Sequence, residues 1–576
     1  MFFSSREVLS GGNGSAGTRY SCVNKENLMS KYISEIIRRL FAEPPWTSGL
    51  GYDAGLWGIP SHASKNGRRV LIATSLGGYD LGVLLESALA VALRLRKASV
   101  EILLCDEFLP ACQVTKISKI SPEEFVKKGQ MRLCRSCFKY GNDVFGPLGL
   151  KIHRYGELVK QEQIEIAKRI AASIPFEQIS EYRFEGLAVG DHAFAGALRY
   201  YGRGDLRGEP LGEEVLRRYL EAALLTVFAT AELAGKNKYD AACFHHGIYV
   251  PQGLIGEVCR KQGIRVVNWN PSYRKQTFVF SHGDSYHHTM ISEPASEWEG
   301  VYLTPELEKK TMDYLKSRWH GTEDWIWFHE DPKEETSQIA KETGVDFSKR
   351  CIGMLTSVMW DAQLHYKSSA FNNQLEWVFQ TISYFAKRPE LQLIIRVHPA
   401  EIRGMIPSRQ PISQEIKREF PSLPSNIFII PPESKISTYA VMEKCDSVII
   451  YNTKTGIEIS SMGIPVIVAG EAWIRNKGFS WDASSPGEYF KILDLLPFDN
   501  HLSEDKLNRA RKYAFHFFFR RMIPLPFITA ADHRFTVNIK RLEELLPGHY
   551  RGLDVVCDGI LGNEPFIYKA EESQGQ

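Results

Sequence analysis

Between residues 352 and 469 the chain alternates short apolar runs with segments of helical spacing, a pattern that few folds accept. The runs lie at 352–355, 391–397, 427–430, 447–450 and 465–469, with helical spacing at 373–385, 437–444 and 455–462. Strands this apolar are buried on both faces, so repeated strand–helix–strand units predict a parallel sheet covered by helices. A looser alternation precedes it. An apolar run at 70–75, the turn Gly77-Gly78-Tyr79-Asp80, a helix through Leu84, Leu85, Ala88, Ala90 and Leu93, and a run at 100–106 make a βαβ unit. Strand signals resume at 241–244 and 265–269, while 115–235 is mainly helical by pattern and is expected to decorate the sheet.

At 576 residues the chain exceeds one ordinary core. The expected fold class is α/β, with two Rossmann-like domains facing across a cleft, the arrangement known as GT-B. The expected division is a flexible N-terminal arm (1–25), an N-terminal α/β domain with a helical insertion (26–335) on the acceptor side, a C-terminal Rossmann-like domain (336–505) that binds the nucleotide, and a helical tail (506–576). Helical spacing is read at 26–41 and again at 506–521, where the chain is expected to return over the cleft. No internal repeat is evident.

Composition excludes several classes. The 70 basic and 68 acidic residues give a net charge of +2 without a polybasic tail, which disfavours nucleic acid as a partner. Residues 1–21 are Ser/Gly-rich without a long apolar stretch, so no secretory leader is expected. The most apolar helix, 222–231, is short and bounded by Glu221 and Glu232, which reads as core rather than as a membrane span. The ten cysteines are scattered, several of them in apolar runs, as expected of free thiols in a reducing cytoplasm. Cys134-Arg135-Ser136-Cys137 is a lone CxxC without a second ligand pair, so local packing is its expected use. No Walker loop, GxGxxG fingerprint or GxSxG elbow is present.

Ligands of open α/β sheets bind beyond the carboxyl ends of the strands. Arg396-Val397-His398-Pro399-Ala400-Glu401 closes one run, and Tyr451-Asn452-Thr453-Lys454-Thr455-Gly456-Ile457-Glu458 closes another. The second is a polar loop that opens a helix, where amides and the helix dipole favour a phosphate or sugar oxygen. There Thr453 and Thr455 add hydroxyls, Gly456 permits close approach, and Glu458 is placed to hold ribose or sugar hydroxyls. The competing reading is a capped helix with a Lys454–Glu458 surface pair. In the first segment His398 can donate to a departing phosphate, and Pro399 releases the chain from the sheet. Arg396 is either a ligand cation or the partner of Glu401.

A third segment, Thr356-Ser357-Val358-Met359-Trp360-Asp361-Ala362, follows the run at 352–355. Asp361 is eligible there as a general base and equally as a helix cap. In the first half, His246-Gly247, Tyr249 and the Gly77–Asp80 turn are candidates to face the cleft. Either His245 or His246 is eligible to activate an acceptor, although a hydrogen-bonded loop residue is the plainer reading of each. His282, Asp284, His287 and His288 fit no regular ligand template, so no metal is expected.

Trp360-Asp361-Ala362, the Arg396–Glu401 strand end and the block from Tyr451 through Glu458 to Gly463-Ile464-Pro465-Val466 resemble the bacterial capsule polysaccharide biosynthesis family. That family includes transferases of 3-deoxy-manno-octulosonate and related GT-B enzymes. The resemblance is strongest over roughly 350–475. It implies that His398 and Pro399 bind the phosphate of a nucleotide-activated sugar, and that Thr453, Thr455 and Glu458 contact the donor. Asn452-Thr453-Lys454 stands where serine-rich loops are commoner, which leaves CMP-, UDP- and GDP-linked donors open.

The function expected from these features is a metal-independent cytoplasmic glycosyltransferase. It would use a nucleotide sugar as co-substrate, without a cofactor, and a polysaccharide or lipid-linked acceptor at the bacterial cell surface. Catalysis is assigned to Asp361, His246 and His398. Donor binding is assigned to Arg396, His398, Pro399, Glu401, Asn452, Thr453, Thr455, Gly456 and Glu458. A polyol-phosphate transferase, a sugar-nucleotide 2-epimerase and a non-catalytic capsule assembly or export factor are the alternatives. Arg511-Lys512 and Arg520-Arg521 flank the aromatic run 515–519, which admits peripheral contact with the inner face of the membrane; a buried closing helix explains the same aromatics.

Overall fold

The structure of the chain, a computed structural model, describes residues 46, 57, 67–325, 331–362, 369–498, 501–531 and 534–569. The expected arm at 1–25 and the helical spacing at 26–41 lie outside the described residues. The first sheet contains β1 (Arg69–Ser75), β2 (Ser99–Leu104), β3 (Lys151–Arg154), β4 (Ala241–His245), β5 (Arg265–Pro271) and β6 (Thr277–His282). Their order is β3-β2-β1-β4-β5-β6, parallel except for β6, which runs antiparallel to β5. The second sheet contains β7 (Cys351–Leu355), β8 (Gln392–Arg396), β9 (Ile427–Ile430), β10 (Ser447–Ile450), β11 (Val466–Val468) and β12 (Trp481–Asp482). Its order is β9-β8-β7-β10-β11-β12, parallel throughout.

Each sheet therefore reverses its strand order once, between β1 and β4 in the first and between β7 and β10 in the second. Such a reversal opens a crevice at the carboxyl edge, because the loops leaving the two central strands diverge to opposite faces. The two α/β units form the GT-B arrangement. Strands β7, β8 and β10 are buried along their whole length, which explains why their sequences are apolar without alternation.

The helical middle contributes one strand that the sequence pattern does not show. Edge strand β3 carries Lys151, Ile152, His153 and Arg154, and its backbone pairs with β2 despite this polar character. His153 and Tyr239 both bond the Glu101 carboxylate, at 2.6 Å each, so the polar side chains there are satisfied by one another. The CxxC segment lies in the helix Met131–Phe145, where the Cys137 thiol accepts the Gly78 amide at 2.9 Å. A Cβ on Gly77 would sit 2.1 Å from the Cys137 carbonyl, so the glycine pair admits this helix against the strand end.

The tail ties the two units together. The helix Glu504–Phe515 continues into a π-helical turn, His516–Arg520, and the chain then pairs β13 (Ile523–Pro524) antiparallel with β6. A two-stranded hairpin, β14 (Ile528–Ala531) with β15 (Arg534–Val537), and the helix Arg551–Gly562 follow, so the tail holds strands as well as helices. Phe515, Phe517, Phe518 and Phe519 are buried. Arg520 donates to the Glu297 carbonyl at 2.7 Å, and Arg521 to the Phe566 and Phe280 carbonyls at 2.8 and 3.0 Å. This corrects the membrane-contact reading of that run: its aromatics pack inward and these two arginines are engaged by backbone. Among the described residues no helix is long and apolar enough to cross a membrane.

Candidate functional site at the meeting of two cavities

Beyond the carboxyl edge of the second sheet lies a cavity of about 200 Å³, lined by Thr356, Ser357, His398, Asn452, Thr453 and Thr455 among others. It occupies the point where the strand order reverses, between β7 and β10. Ser357, just after β7, donates its hydroxyl to the Asn452 side chain, just after β10, and so joins the two central loops. Gln374, buried at the start of the helix Gln374–Phe385, holds Ser357 from behind: its amide donates to the Ser357 carbonyl at 2.9 Å, and its oxygen, 3.0 Å from the Ser357 hydroxyl, shares that group's single proton with Asn452. The Thr453 hydroxyl accepts the Thr455 amide at 3.3 Å, which fixes the turn into the helix Thr455–Ser461.

His398 is half-buried on the same wall. Its amide donates to the Thr356 hydroxyl at 3.2 Å, and its Nδ1 accepts the Ala400 amide at 3.0 Å. An acceptor at Nδ1 puts the proton of the neutral ring on Nε2, the atom suited to donate to an anion. Pro399 lines the cavity beside it.

Four of the predicted donor residues have other work. The Arg396 side chain is buried and donates to the Pro431 and Ser434 carbonyls at 2.5 and 3.2 Å and to the Thr438 hydroxyl at 3.3 Å. It lines the cavity, as expected of a candidate there, but its guanidinium pins the loop at 431–434 and does not pair with Glu401. Burial lowers its pKa to about 10, the cost of placing a guanidinium among carbonyls. Glu401 is fully buried and accepts the Ile412 amide, away from the cavity wall. A Cβ on Gly456 would meet Ile450 and Ile474 at 2.6 and 2.9 Å, so that glycine answers packing rather than a ligand. Glu458 is buried too, bonded by Lys454 at 2.7 Å, by Arg318 at 3.2 Å and by the Tyr439 hydroxyl. The Lys454–Glu458 pair is consequently internal rather than superficial. The Arg318 and Lys454 charges hold the Glu458 carboxyl near 2 against its desolvation.

A second cavity of about 190 Å³ opens beyond the first sheet, lined by Tyr79, His245, His246, Tyr249, Trp360 and Met405 among others. His246 and Gly247 both adopt the left-handed conformation, with φ of 65° and 79°, and a Cβ on Gly247 would lie 2.1 Å from Asn268 Oδ1. That turn swings His246 over the strand edge. His245 donates from Nε2 to the Asn270 side-chain oxygen at 3.0 Å and packs on Tyr79, with ring centroids 4.5 Å apart. Burial pushes His245 down to about 3 and His246 well below its ordinary value. Burial thus disfavours the charged form of both rings, and both line the cavity.

Asp361 lines both cavities. Its loop leaves β7 and crosses to the first unit, where Val358 and Trp360 join that unit's core. Tyr249 donates its hydroxyl to Asp361 at 3.0 Å and accepts the Ala362 amide at 2.8 Å. The next described helix begins at Gln374, so among the described residues Asp361 caps none. Tyr273 and Trp473 also line both cavities, and Arg318, Lys454 and Arg199 add cations to one or the other. Apart from Lys454, which lies in the polar loop after β10, these residues carry no sequence signal, since helical and loop spacing does not reveal which distant segments meet. His282 bonds the Glu564 carbonyl at 2.9 Å, whereas His288 pairs with Asp284 at 3.3 Å. Among the described residues no group of three or more His, Cys, Asp or Glu is arranged to hold a metal ion.

Residues 329–490 match the family described as "Capsule polysaccharide biosynthesis protein", the family that the motifs resemble, and this segment contains every residue of the first cavity's strand-end loops. No curated protein matches the chain. Among solved structures, the chain is similar to the β-Kdo 2,4-transferase KpsC of Thermosulfurimonas dismutans, at 11% identity over 53% of this chain and 87% of that one, with a TM-score of 0.33. It is also similar to the β-Kdo 2,7-transferase KpsC of the same organism, at 12% identity over 55% and 88%, with a TM-score of 0.29. UDP-GlcNAc 2-epimerase from Neisseria meningitidis, bound to UDP-GlcNAc, aligns at 10% identity over 78% and 98%, with a TM-score of 0.24.

Proposed function

We propose that the protein is a glycosyltransferase of capsule-polysaccharide type, which binds a nucleotide-activated sugar against the second sheet and an acceptor against the first. The observation that carries this reading is the meeting of the two cavities at Asp361. A cavity walled by hydroxyls, an amide and an imidazole suits a sugar nucleotide, and one walled by aromatic and apolar side chains suits a bulkier acceptor.

In this scheme the glycosidic bond to the nucleotide phosphate breaks, and its electron pair stays on the phosphate oxygen. His398 donates from Nε2 to that oxygen and offsets the developing charge. The acceptor hydroxyl attacks the anomeric carbon while Asp361, steadied by Tyr249, takes its proton. Asn452, Thr453 and Thr455 orient the donor, and Ser357 and Gln374 keep Asn452 in place. No step calls on a bound metal. The reading puts the reaction on the cytoplasmic side, with a surface polysaccharide or glycolipid as acceptor.

Thermal melting with CMP-, UDP- and GDP-linked sugars tests the reading. One donor class is expected to raise the melting temperature, because a ligand at 100 times its Kd stabilises the native state by about 2.7 kcal/mol. The His398→Ala variant is expected to keep the unliganded melting temperature and to lose both that shift and turnover. A folded wild-type protein stabilised by none of the three classes would sink the proposal.

A further inference from the structure

Behind the first cavity lies a buried ionic cluster in which cations and carboxylates balance two against two: Arg318 and Lys454 with Asp324 and Glu458. Its members are not equally committed. The Arg318 guanidinium reaches Asp324, Glu458 at 3.2 Å and the Tyr314 hydroxyl at 2.8 Å, so three partners fix it. Lys454 has the longer leash. Its Nζ lies 2.7 Å from Glu458 and 4.6 Å from the centre of the Tyr273 ring, at the end of a flexible four-carbon stem.

The side chains of Arg318, Asp324 and Glu458 are 2–4% exposed, whereas that of Lys454 is 16% exposed; Arg318 and Asp324 also border the first cavity, and Lys454 is the most open of the three. Glu458 would not be stranded if Lys454 turned away. Its Oε1 would keep Arg318 and its Oε2 would keep the Tyr439 hydroxyl. A cation that can leave its carboxylate without orphaning it, beside an imidazole and two threonines, is placed to meet an incoming anion. Tyr273 lines both cavities, so this ammonium stands near their junction, where the phosphate bonded to the transferred sugar belongs.

We infer that Lys454 leaves Glu458 to bind the phosphate of the nucleotide donor, an inference that rests on the transferase reading above. Lys454 is thereby a donor-binding residue, and Glu458 is the counter-ion that stores it when the cavity holds no anion.

The test is calorimetric titration of the full chain with UDP, CDP and CMP, with uridine and cytidine as phosphate-free controls, alongside donor kinetics. Lys454→Met is expected to weaken the phosphate-bearing ligand by about tenfold or more, as loss of one charged hydrogen bond does. It should raise the donor KM while leaving the acceptor KM unchanged, and Lys454→Arg should recover most of the affinity. Glu458→Gln is expected to bind the nucleotide as tightly as wild type or more so, because it releases the ammonium. Where Lys454→Met alone loses its fold, the charge-balanced Lys454→Met/Glu458→Gln pair carries the measurement. Wild-type nucleotide affinity in Lys454→Met, or in the Lys454→Met/Glu458→Gln pair where that carries the measurement, overturns the inference and leaves the transferase reading standing. Absence of nucleotide binding by wild type defeats both, and the two failures are thereby distinguished.

Discussion

Tyr249 donates to Asp361 and accepts the amide of Ala362, so one phenol fixes both the carboxylate and the backbone that carries it. Burial and the neighbouring carboxylate raise the Tyr249 pKa well above 10, which keeps it a donor throughout the working range. Asp361→Asn removes the proposed base while preserving most of the geometry. It is expected to lower kcat by about 10²- to 10⁴-fold with donor affinity retained, and Tyr249→Phe by about tenfold. Near-wild-type turnover in Asp361→Asn, measured by donor consumption, would move the base elsewhere. That Asp361, His398, Asn452 and Thr453 border a cavity was legible in the sequence, because a polar segment that follows a buried strand lies at the carboxyl edge of the sheet. Arg396, Glu401, Gly456 and Glu458 sit in the same segments, where Arg396 borders the cavity but spends its guanidinium on the wall loop and the other three turn to packing, a buried amide or an internal ion pair. Alternation tells which side of a strand a residue faces, but not whether a loop, a helix or a ligand meets it there. For Arg318 and Lys454 the missing information was the approach of the helix Pro305–His320 to the loop after β10.

The stretch from His398 to the helix Ile412–Glu419 carries the cavity-lining residues Ala400, Gly404, Met405 and Ile406, and Glu401 shapes it from inside. Its carboxylate accepts the Ile412 amide at 3.3 Å, and its carbonyl accepts the Ser408 amide at 2.7 Å. Desolvation lifts the Glu401 carboxyl to about 7, above its ordinary 4.5. A raised acid is more protonated folded than unfolded, so its contribution to stability is complete below about 4.5 and is lost as pH rises through about 7. Glu401→Gln keeps an acceptor for Ile412 without the ionisation. Between pH 5 and 8 denaturant unfolding is expected to show wild type losing stability relative to this variant, by an amount of the order of 2 to 3 kcal/mol. Parallel pH profiles for the two would show that the carboxyl titrates normally. Among the elements, the apolar strands of the second sheet were readable because burial on both faces leaves only one kind of residue. Strand β3 was not, since a short edge strand is specified by backbone pairing with β2 rather than by its own side chains.

Two sheets with the same reversal of strand order face each other, and the cleft between them is bridged away from the tail as well as at Asp361. The Arg409 amide donates to the Gly202 carbonyl at 2.9 Å, while Gln410 accepts the Gly204 amide and donates to Asp205, both at 3.0 Å. Gln410 is only 2% exposed, so its two bonds are shielded from water. Neither unit's sequence announces this contact, because it joins turns some two hundred residues apart, yet the two-sheet architecture that permits it follows from strand–helix alternation alone. If the cavities must be held face to face for transfer, the bridge sets how much of the population is poised. Gln410→Ala leaves a buried amide and a carboxylate without that partner, at a cost of about 1 to 3 kcal/mol to the bridged state. The expected result is a larger radius of gyration by solution scattering for the free variant, which returns to the wild-type value when donor and acceptor analogue are added together. KM should rise about 5- to 30-fold for both substrates, with kcat nearly unchanged once both are saturating, because ligand binding must then supply the closure. An unchanged radius with a lowered melting temperature would instead make the bridge a packing contact that does not govern access to the cleft.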